Sequence, residues 1–396
     1  MSHQPSTISH SPSAIYVHIP FCLRKCFYCD FASFPGKEHL YEPYVEALRE
    51  EIRLGAERYP EARISTIYLG GGTPNVLTPE QLGSILEQIR QSFQVCFNAE
   101  ITTEANPGGS LNFQLPTWTP QHPTPDTQHL EFNRLSLGVQ SFHNNELGRL
   151  GRIHTADEAV GAFLCAREAG FRNISIDLMY GIPEQTLDSW GETLRRAIEL
   201  GSEHISLYSL TVEEGTPFHE MWCEGRLEIP GNDIEADMYE AAIEMLTSAG
   251  FIHYEISNFA KPGFESRHNT TYWRNEPYFG FGAGAASYLN GVRALNVSEV
   301  EEYICRMKNG EIPIESQESL TGCEAMGETM FLGLRMLRGV HKTDFAARYG
   351  VSPQEVFPEE ILSLTARGLI EESGEYIRLT RTGLLLANEV FSAFVS

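Results

Sequence analysis

IYVHIPFCLRKCFYC, residues 15–29, is the stretch on which the fold turns. Residues 15–19 are β-rich and predict a buried strand. The chain leaves that strand at Pro20 and sets Cys22, Cys26 and Cys29 on the following loop. Three thiolates spaced C-x3-C-x2-C suit one soft metal centre. Zinc is one candidate, but structural zinc usually takes four ligands in two separated pairs. No fourth cysteine lies nearby and His18 belongs to the strand. A 4Fe-4S cluster with three protein ligands also fits, and it leaves one iron open to an external ligand.

Outward from this loop, short β-rich runs alternate with helical patterns. Strands are predicted at 66–69, 99–104, 135–139, 175–179 and 205–210, and helices at 40–59, 80–93, 157–169 and 187–200. Tyr44, Leu48, Ile52 and Ala56 repeat every four residues in the first helix. Thr78 is the N-cap of the second, with Pro and Glu just inside it, and Gly201 ends the fourth. Six strands separated by helices imply right-handed crossovers and a parallel sheet, whose ligand site lies at the carboxyl ends of the strands. The expected fold is α/β: an incomplete parallel (β/α)6 barrel over 15–215, after a disordered lead-in at 1–14. Residues 216–318 read as a flanking extension of helix and loop. Within them the run YFGFGAGAASY at 278–288 lacks dinucleotide-loop spacing and reads as a close-packed loop. Residues 319–396 hold three helical segments and two β-like pieces, a winged-helix-like domain without a clear basic face. Gly108–His129 has four prolines and follows Pro107, and reads as an insertion loop between strands three and four.

Composition narrows the function classes. With 53 acidic and 29 basic side chains the net charge is −24, which disfavours non-specific binding to nucleic acid and to anionic lipid. No apolar run is long enough to span a bilayer, and the first fourteen residues lack the features of a signal peptide. Eight cysteines in 396 residues are too few for a disulfide scaffold, so a reducing, cytoplasmic setting is expected. Cys165, in AFLCAREAG, reads as a packing residue on an apolar helix face.

The cysteine motif, with Tyr28 before the last Cys, resembles the signature of the radical S-adenosylmethionine (SAM) superfamily. In that superfamily the open iron chelates SAM, and the reduced cluster cleaves it to a 5′-deoxyadenosyl radical. The other motifs agree in kind and order: GGGTP at 70–74, EANP at 104–107, GVQSF at 138–142, Arg152, and ID at 176–177. The resemblance implies SAM contacts at Tyr16, Gly71, Gly72, Thr73, Glu104, Gln140, Arg152 and Asp177. Arg152 suits a carboxylate, and Glu104, Gln140 and Asp177 suit an ammonium and ribose hydroxyls.

Within the superfamily, YVHIPFC (16–22), YLGGGTPN (68–75), NRLSLGVQSF (133–142), DLMYGIPEQT (177–186), YSLTVEEGTPF (208–218) and HNTTYW (268–273) resemble the branch around oxygen-independent coproporphyrinogen III oxidase. The oxidases of that branch carry a further Cys where this chain has Phe31, and a longer N-terminal segment than the fourteen residues ahead of Ile15. Both departures resemble the sister group, the HemW-type haem chaperones. The resemblance implies haem as ligand, an acceptor protein for it, and a one-electron donor such as flavodoxin or ferredoxin. It leaves open a homodimer, which apolar patches would support. His268 is the expected axial ligand, with Tyr272 and Trp273 against the porphyrin. The alternative is a structural histidine in a packed loop. The competing activity is oxidative decarboxylation of coproporphyrinogen III.

Overall fold

A computed structural model describes residues 11–108, 132–320 and 322–395. The proline-rich segment expected to be an insertion loop lies almost wholly outside the described residues, as do the first ten residues. The six expected strands are β1 (Ala14–Ile19), β2 (Arg63–Gly71), β3 (Gln94–Ala105), β4 (Arg134–Gln140), β5 (Ile174–Tyr180) and β6 (His204–Ser209). They pair in chain order, all parallel. Alternation along each strand sorts the side chains. Ile15, Val17, Ile67, Leu69, Leu135 and Ile176 pack outward against the helices. Thr66, Tyr68, Arg134, Ser136, Asp177 and Ser206 lie on the opposite faces of their strands and build a polar barrel interior.

The helices form where expected. In Tyr41–Arg58 the buried stripe includes Tyr44, Leu48, Ile52 and Ala56. Helix Pro79–Ser92 begins in a capping box between Thr78 and Gln81, so the reciprocal partner is Gln81 and not the Glu80 just inside the cap. Leu187–Leu200 ends at Gly201 in the left-handed conformation, and Trp190 on its buried face donates to the Met238 carbonyl at 2.8 Å. Cys165 is exposed, because the buried stripe of helix Ala156–Glu168 runs through Ala159, Ala162, Phe163 and Ala166.

The flanking extension is more β-rich than its sequence reads. β7 (Ile252–Glu255) and β8 (Asn258–Ala260) form a hairpin whose second strand runs antiparallel to β6. The glycine run expected to be a loop is instead β9 (Tyr278–Phe281), a tight turn and β10 (Ala286–Leu289). β9 pairs parallel with the outer side of β1, and β10, β11 (Val292–Asn296) and β12 (Ile314–Ser319) follow antiparallel. The glycines had hidden a strand, because side-chain periodicity is unreadable where side chains are missing. Among the described residues the twelve strands make one open sheet in the order β12-β11-β10-β9-β1-β2-β3-β4-β5-β6-β8-β7. The barrel is therefore incomplete, with its edges carried by antiparallel strands.

The C-terminal residues have a second core around Met330, Leu334, Phe345, Ile361, Leu364 and Ile377. Helices Gly322–Leu334, Lys342–Tyr349 and Pro358–Ala366 pack with a small antiparallel sheet of β13 (Val340–His341), β14 (Ile370–Ser373) and β15 (Tyr376–Leu379). This is a winged-helix-like arrangement. No helix among the described residues is long and apolar enough to cross a membrane.

Candidate functional site

The carboxyl ends of β1 to β6 converge on a cavity of about 620 Å³. Cys22, Cys26 and Cys29 line it together with Gly71, Gly72, Thr73, Glu104, Gln140, Arg152 and Asp177. Ten of the residues singled out from sequence are thus neighbours in space.

The loop after β1 carries the thiols. Its base is stitched by Phe34 N–H to the Pro20 carbonyl at 2.8 Å and Cys22 N–H to the Phe34 carbonyl at 3.3 Å. Cys22 is buried, and Cys26 and Cys29 are half-buried. Burial pushes the Cys22 and Cys29 thiols above their ordinary pKa, against hydrogen bonds that include Ser33 and, at Cys22, Thr73. Among the described residues no three of His, Cys, Asp or Glu, these thiols included, are arranged to hold a single metal ion.

The glycine turn after β2 closes on this loop. Gly71 has φ +106, and a Cβ there would stand 2.3 Å from the His18 ring. A Cβ on Gly72 would stand 2.5 Å from the Phe21 carbonyl oxygen. Bare backbone is what lets the turn approach the cysteine loop. Gly71 N–H donates to Glu104 at 3.0 Å and the Tyr68 hydroxyl donates to its other oxygen at 2.7 Å. Burial nevertheless raises the Glu104 pKa to about 7.

On the far wall, Ser136 donates to both Asp177 oxygens at 2.9 and 3.0 Å, and Ser175 to one of them at 3.1 Å. Burial raises the Asp177 carboxyl, against those hydroxyls. Gln140 ends β4 with φ +64, and its buried Oε1 has no partner among the described residues. Left-handed backbone at a non-glycine residue beside an orphaned amide oxygen marks a strained ligand-facing position. Arg152 sends its donors to the Cys26 sulfur at 3.5 Å, to Asn106 Oδ1 and to the Gly138 carbonyl at 2.8 Å. Burial works against its charge, yet Tyr28 and Cys26 keep it fully cationic.

The profile of the Radical SAM superfamily matches residues 16–197, and that of the HemN C-terminal domain matches 320–386. Heme chaperone HemW of Bacillus subtilis is 40% identical over 381 residues, which cover 96% of this chain and 98% of that one. The chain belongs to the HemW family. Heme chaperone HemW of Escherichia coli is 33% identical over 97% of this chain and 98% of its own length. Among solved structures, coproporphyrinogen III oxidase (HemN) from Escherichia coli, described as a Radical SAM enzyme, aligns with a TM-score of 0.80. That alignment covers 99% of this chain and 92% of the oxidase at 24% identity, and it establishes a shared fold.

Two expected site residues of this HemW-family chain stand apart from the cavity. Tyr16 lies below it in the barrel interior, its hydroxyl 2.9 Å from His18 Nδ1. His268 sits deeper still. It belongs to helix Arg267–Trp273, whose first N–H groups donate to Glu100 at 3.2 and 3.0 Å. Its Nδ1 is 2.9 Å from the Thr66 hydroxyl, its Nε2 is 2.8 Å from the Tyr272 hydroxyl, and its ring stacks on Tyr68 at 5.1 Å. Burial, with the Arg134 charge, drives its pKa down to about 3. As folded, His268 is buried, with both ring nitrogens within hydrogen-bond reach of hydroxyls. The HNTTYW segment is the helical plug beneath the pocket.

Sequence reasoning missed Ser136, Asn106 and Tyr208, all in the cavity wall. Period two along β4 places Ser136 on the face shared by Arg134 and Gly138, a signal that was available. Asn106 stood in plain view within EANP, but nothing local says that it points across to Arg152.

Proposed function

We propose that this protein is a haem chaperone that holds a 4Fe-4S cluster on Cys22, Cys26 and Cys29, binds SAM beside it, and passes haem to an acceptor protein. The observation that carries this reading is near full-length similarity to proteins named heme chaperone HemW. The fold is shared with an oxidase and does not discriminate. Phe31, exposed at the pocket lip where the oxidase motif has a further cysteine, favours the chaperone.

The donor set fits a cluster. Three thiols line one cavity of about 620 Å³, and thiolate donors are the ligands such a cluster takes. A cluster there supplies one-electron chemistry to a ligand on its open iron. The chain's own residues do the rest. Arg152 meets a carboxylate, Glu104 an ammonium, and Asp177, oriented by Ser136 and Ser175, the ribose hydroxyls. Leu23, Phe31 and Ile153 form an exposed apolar lip on which a porphyrin face can lie without crossing the polar interior. The setting is cytoplasmic, and the electron donor a flavodoxin or ferredoxin.

One anaerobic experiment tests the reading. Reconstituted protein is incubated with haem in one tube, and with coproporphyrinogen III, SAM and a reductant in another. A Soret band that survives desalting, with no protoporphyrinogen formed, is expected. Turnover to protoporphyrinogen without stable haem binding overturns it. Cys22→Ala/Cys26→Ala/Cys29→Ala should take up no iron, whereas tightly bound zinc in the native protein would refute the cluster.

A further inference from the structure

Asn106 hydrogen-bonds two side chains, Thr73 and Arg152, each of which reaches a cysteine sulfur of the loop. Its Nδ2 lies 2.8 Å from Thr73 Oγ1, and that oxygen lies 3.3 Å from Cys22 Sγ. Its Oδ1 accepts from Arg152 Nη2, and Arg152 Nη1 lies 3.5 Å from Cys26 Sγ. The chemistry fixes the direction of this chain. A guanidinium only donates, so the amide oxygen must face Arg152 and the amide NH2 must face Thr73. The Thr73 oxygen then accepts, and its own hydrogen is left for Cys22. Both sulfurs therefore receive hydrogen bonds whose geometry one amide sets.

The surroundings are built for this amide. Its backbone N–H donates to Asn75 Oδ1 at 3.2 Å, and Asn75 Nδ2 reaches its carbonyl at 3.5 Å. Gly138 makes the room, since a Cβ there would stand 2.6 Å from Asn106 Oδ1 and 3.3 Å from Arg152 Nη2. A glycine inside a fully buried strand weakens it, and close approach of other groups is the usual reason for one.

We propose that Asn106 is a positioning residue that ties the Cys22 and Cys26 sulfurs together through Thr73 and Arg152 and so sets the reduction potential of the cluster they hold. The proposal rests on the reading that these cysteines carry a 4Fe-4S cluster. Hydrogen bonds to cluster sulfurs raise the potential by spreading the charge of the reduced state. Loss of the bridge should lower it.

The test uses the full chain, reconstituted anaerobically, as wild type, Asn106→Ala, Gly138→Ala and the double variant. Iron content and the cluster midpoint potential, followed by EPR, are read for each. At full iron content Asn106→Ala should shift the reduction equilibrium about tenfold toward the oxidised cluster, about 59 mV for one electron. Gly138→Ala, which keeps every polar group but displaces the amide, should shift it the same way. Because both break one bridge, the double variant should shift no further than the larger single change. Wild-type potentials in both single variants, or additive shifts in the double, overturn the proposal. If Asn106→Ala does not fold, Gly138→Ala carries the test alone. A wild-type chain that takes up no iron refutes the cluster reading, and the proposal falls with it for that separate reason.

Discussion

Glu104 is a carboxylate buried where an ammonium is expected, and its titration runs two effects in opposite directions. With a folded pKa of about 7 against an ordinary value near 4, the folded chain keeps a proton that the unfolded chain has released across that window. Its contribution to stability is thus fullest below the unfolded pKa and is lost as pH rises through about 7. Binding needs the anion, so SAM affinity should fall about tenfold between pH 8 and pH 6. Calorimetric titration across that range checks this, and Glu104→Gln should flatten the profile. His268 gives a second residue-scale expectation. Removing an imidazole bonded to Thr66 and Tyr272 strands two buried hydroxyls, so His268→Ala should cost about 2–4 kcal/mol in denaturant melts. Haem affinity should stay at the wild-type level in the same variant, and a large loss at intact fold would show that the imidazole leaves its plug to bind iron.

At the scale of elements, the site is made by strand ends meeting a loop. β1 is an interior strand, with β9 on one of its edges and β2 on the other, so the cysteine loop leaves from a strand held on both sides. The glycine turn after β2 then locks that loop: Gly72 N–H donates to the Ile19 carbonyl at 2.9 Å and Thr73 N–H to the Phe21 carbonyl at 2.7 Å. Gly72→Ala would drive a methyl into the Phe21 carbonyl and push the loop outward. The expected result is a loss of about 1–3 kcal/mol and markedly fewer irons per chain after reconstitution, measured by unfolding and iron assay. Full iron content in that variant would mean that the loop does not depend on the turn.

The whole molecule joins two cores through its floor. Ile256 N–H donates to the Arg335 carbonyl at 3.0 Å and Leu337 N–H to the Tyr254 carbonyl at 3.1 Å, so backbone from the C-terminal unit continues the barrel's edge. The Arg335 guanidinium lies 4.4 Å from the centre of the Trp273 ring, and Arg348 donates to the Arg274 and Asn275 carbonyls just past the plug helix. Such coupling predicts one calorimetric transition for the full chain, lowered by about 1–2 kcal/mol in Arg335→Ala. Two separate transitions in the wild type would show that the C-terminal unit unfolds on its own.

The parallel core was legible in the chain because alternation within strands, stripes within helices and caps between them are local properties. β1 to β6 and helix Leu187–Leu200 follow from them directly. Cys22, Cys26 and Cys29 were legible for the same reason, since their spacing within one loop is itself the signal. β9 and β10 were not, because glycines carry no side-chain period and their partner β1 lies more than 200 residues away. His268 and Asn106 mark the same boundary in the site. An imidazole in sequence looks equally fit to bind iron or to bond Thr66, and an asparagine before a proline looks like a turn. Which partner each one meets is decided by the curvature of the sheet, which brings β2, β3 and β4 and the plug helix around one polar interior. Composition and spacing along the chain determined what chemistry is present here; only the tertiary structure decided which groups are free to perform it.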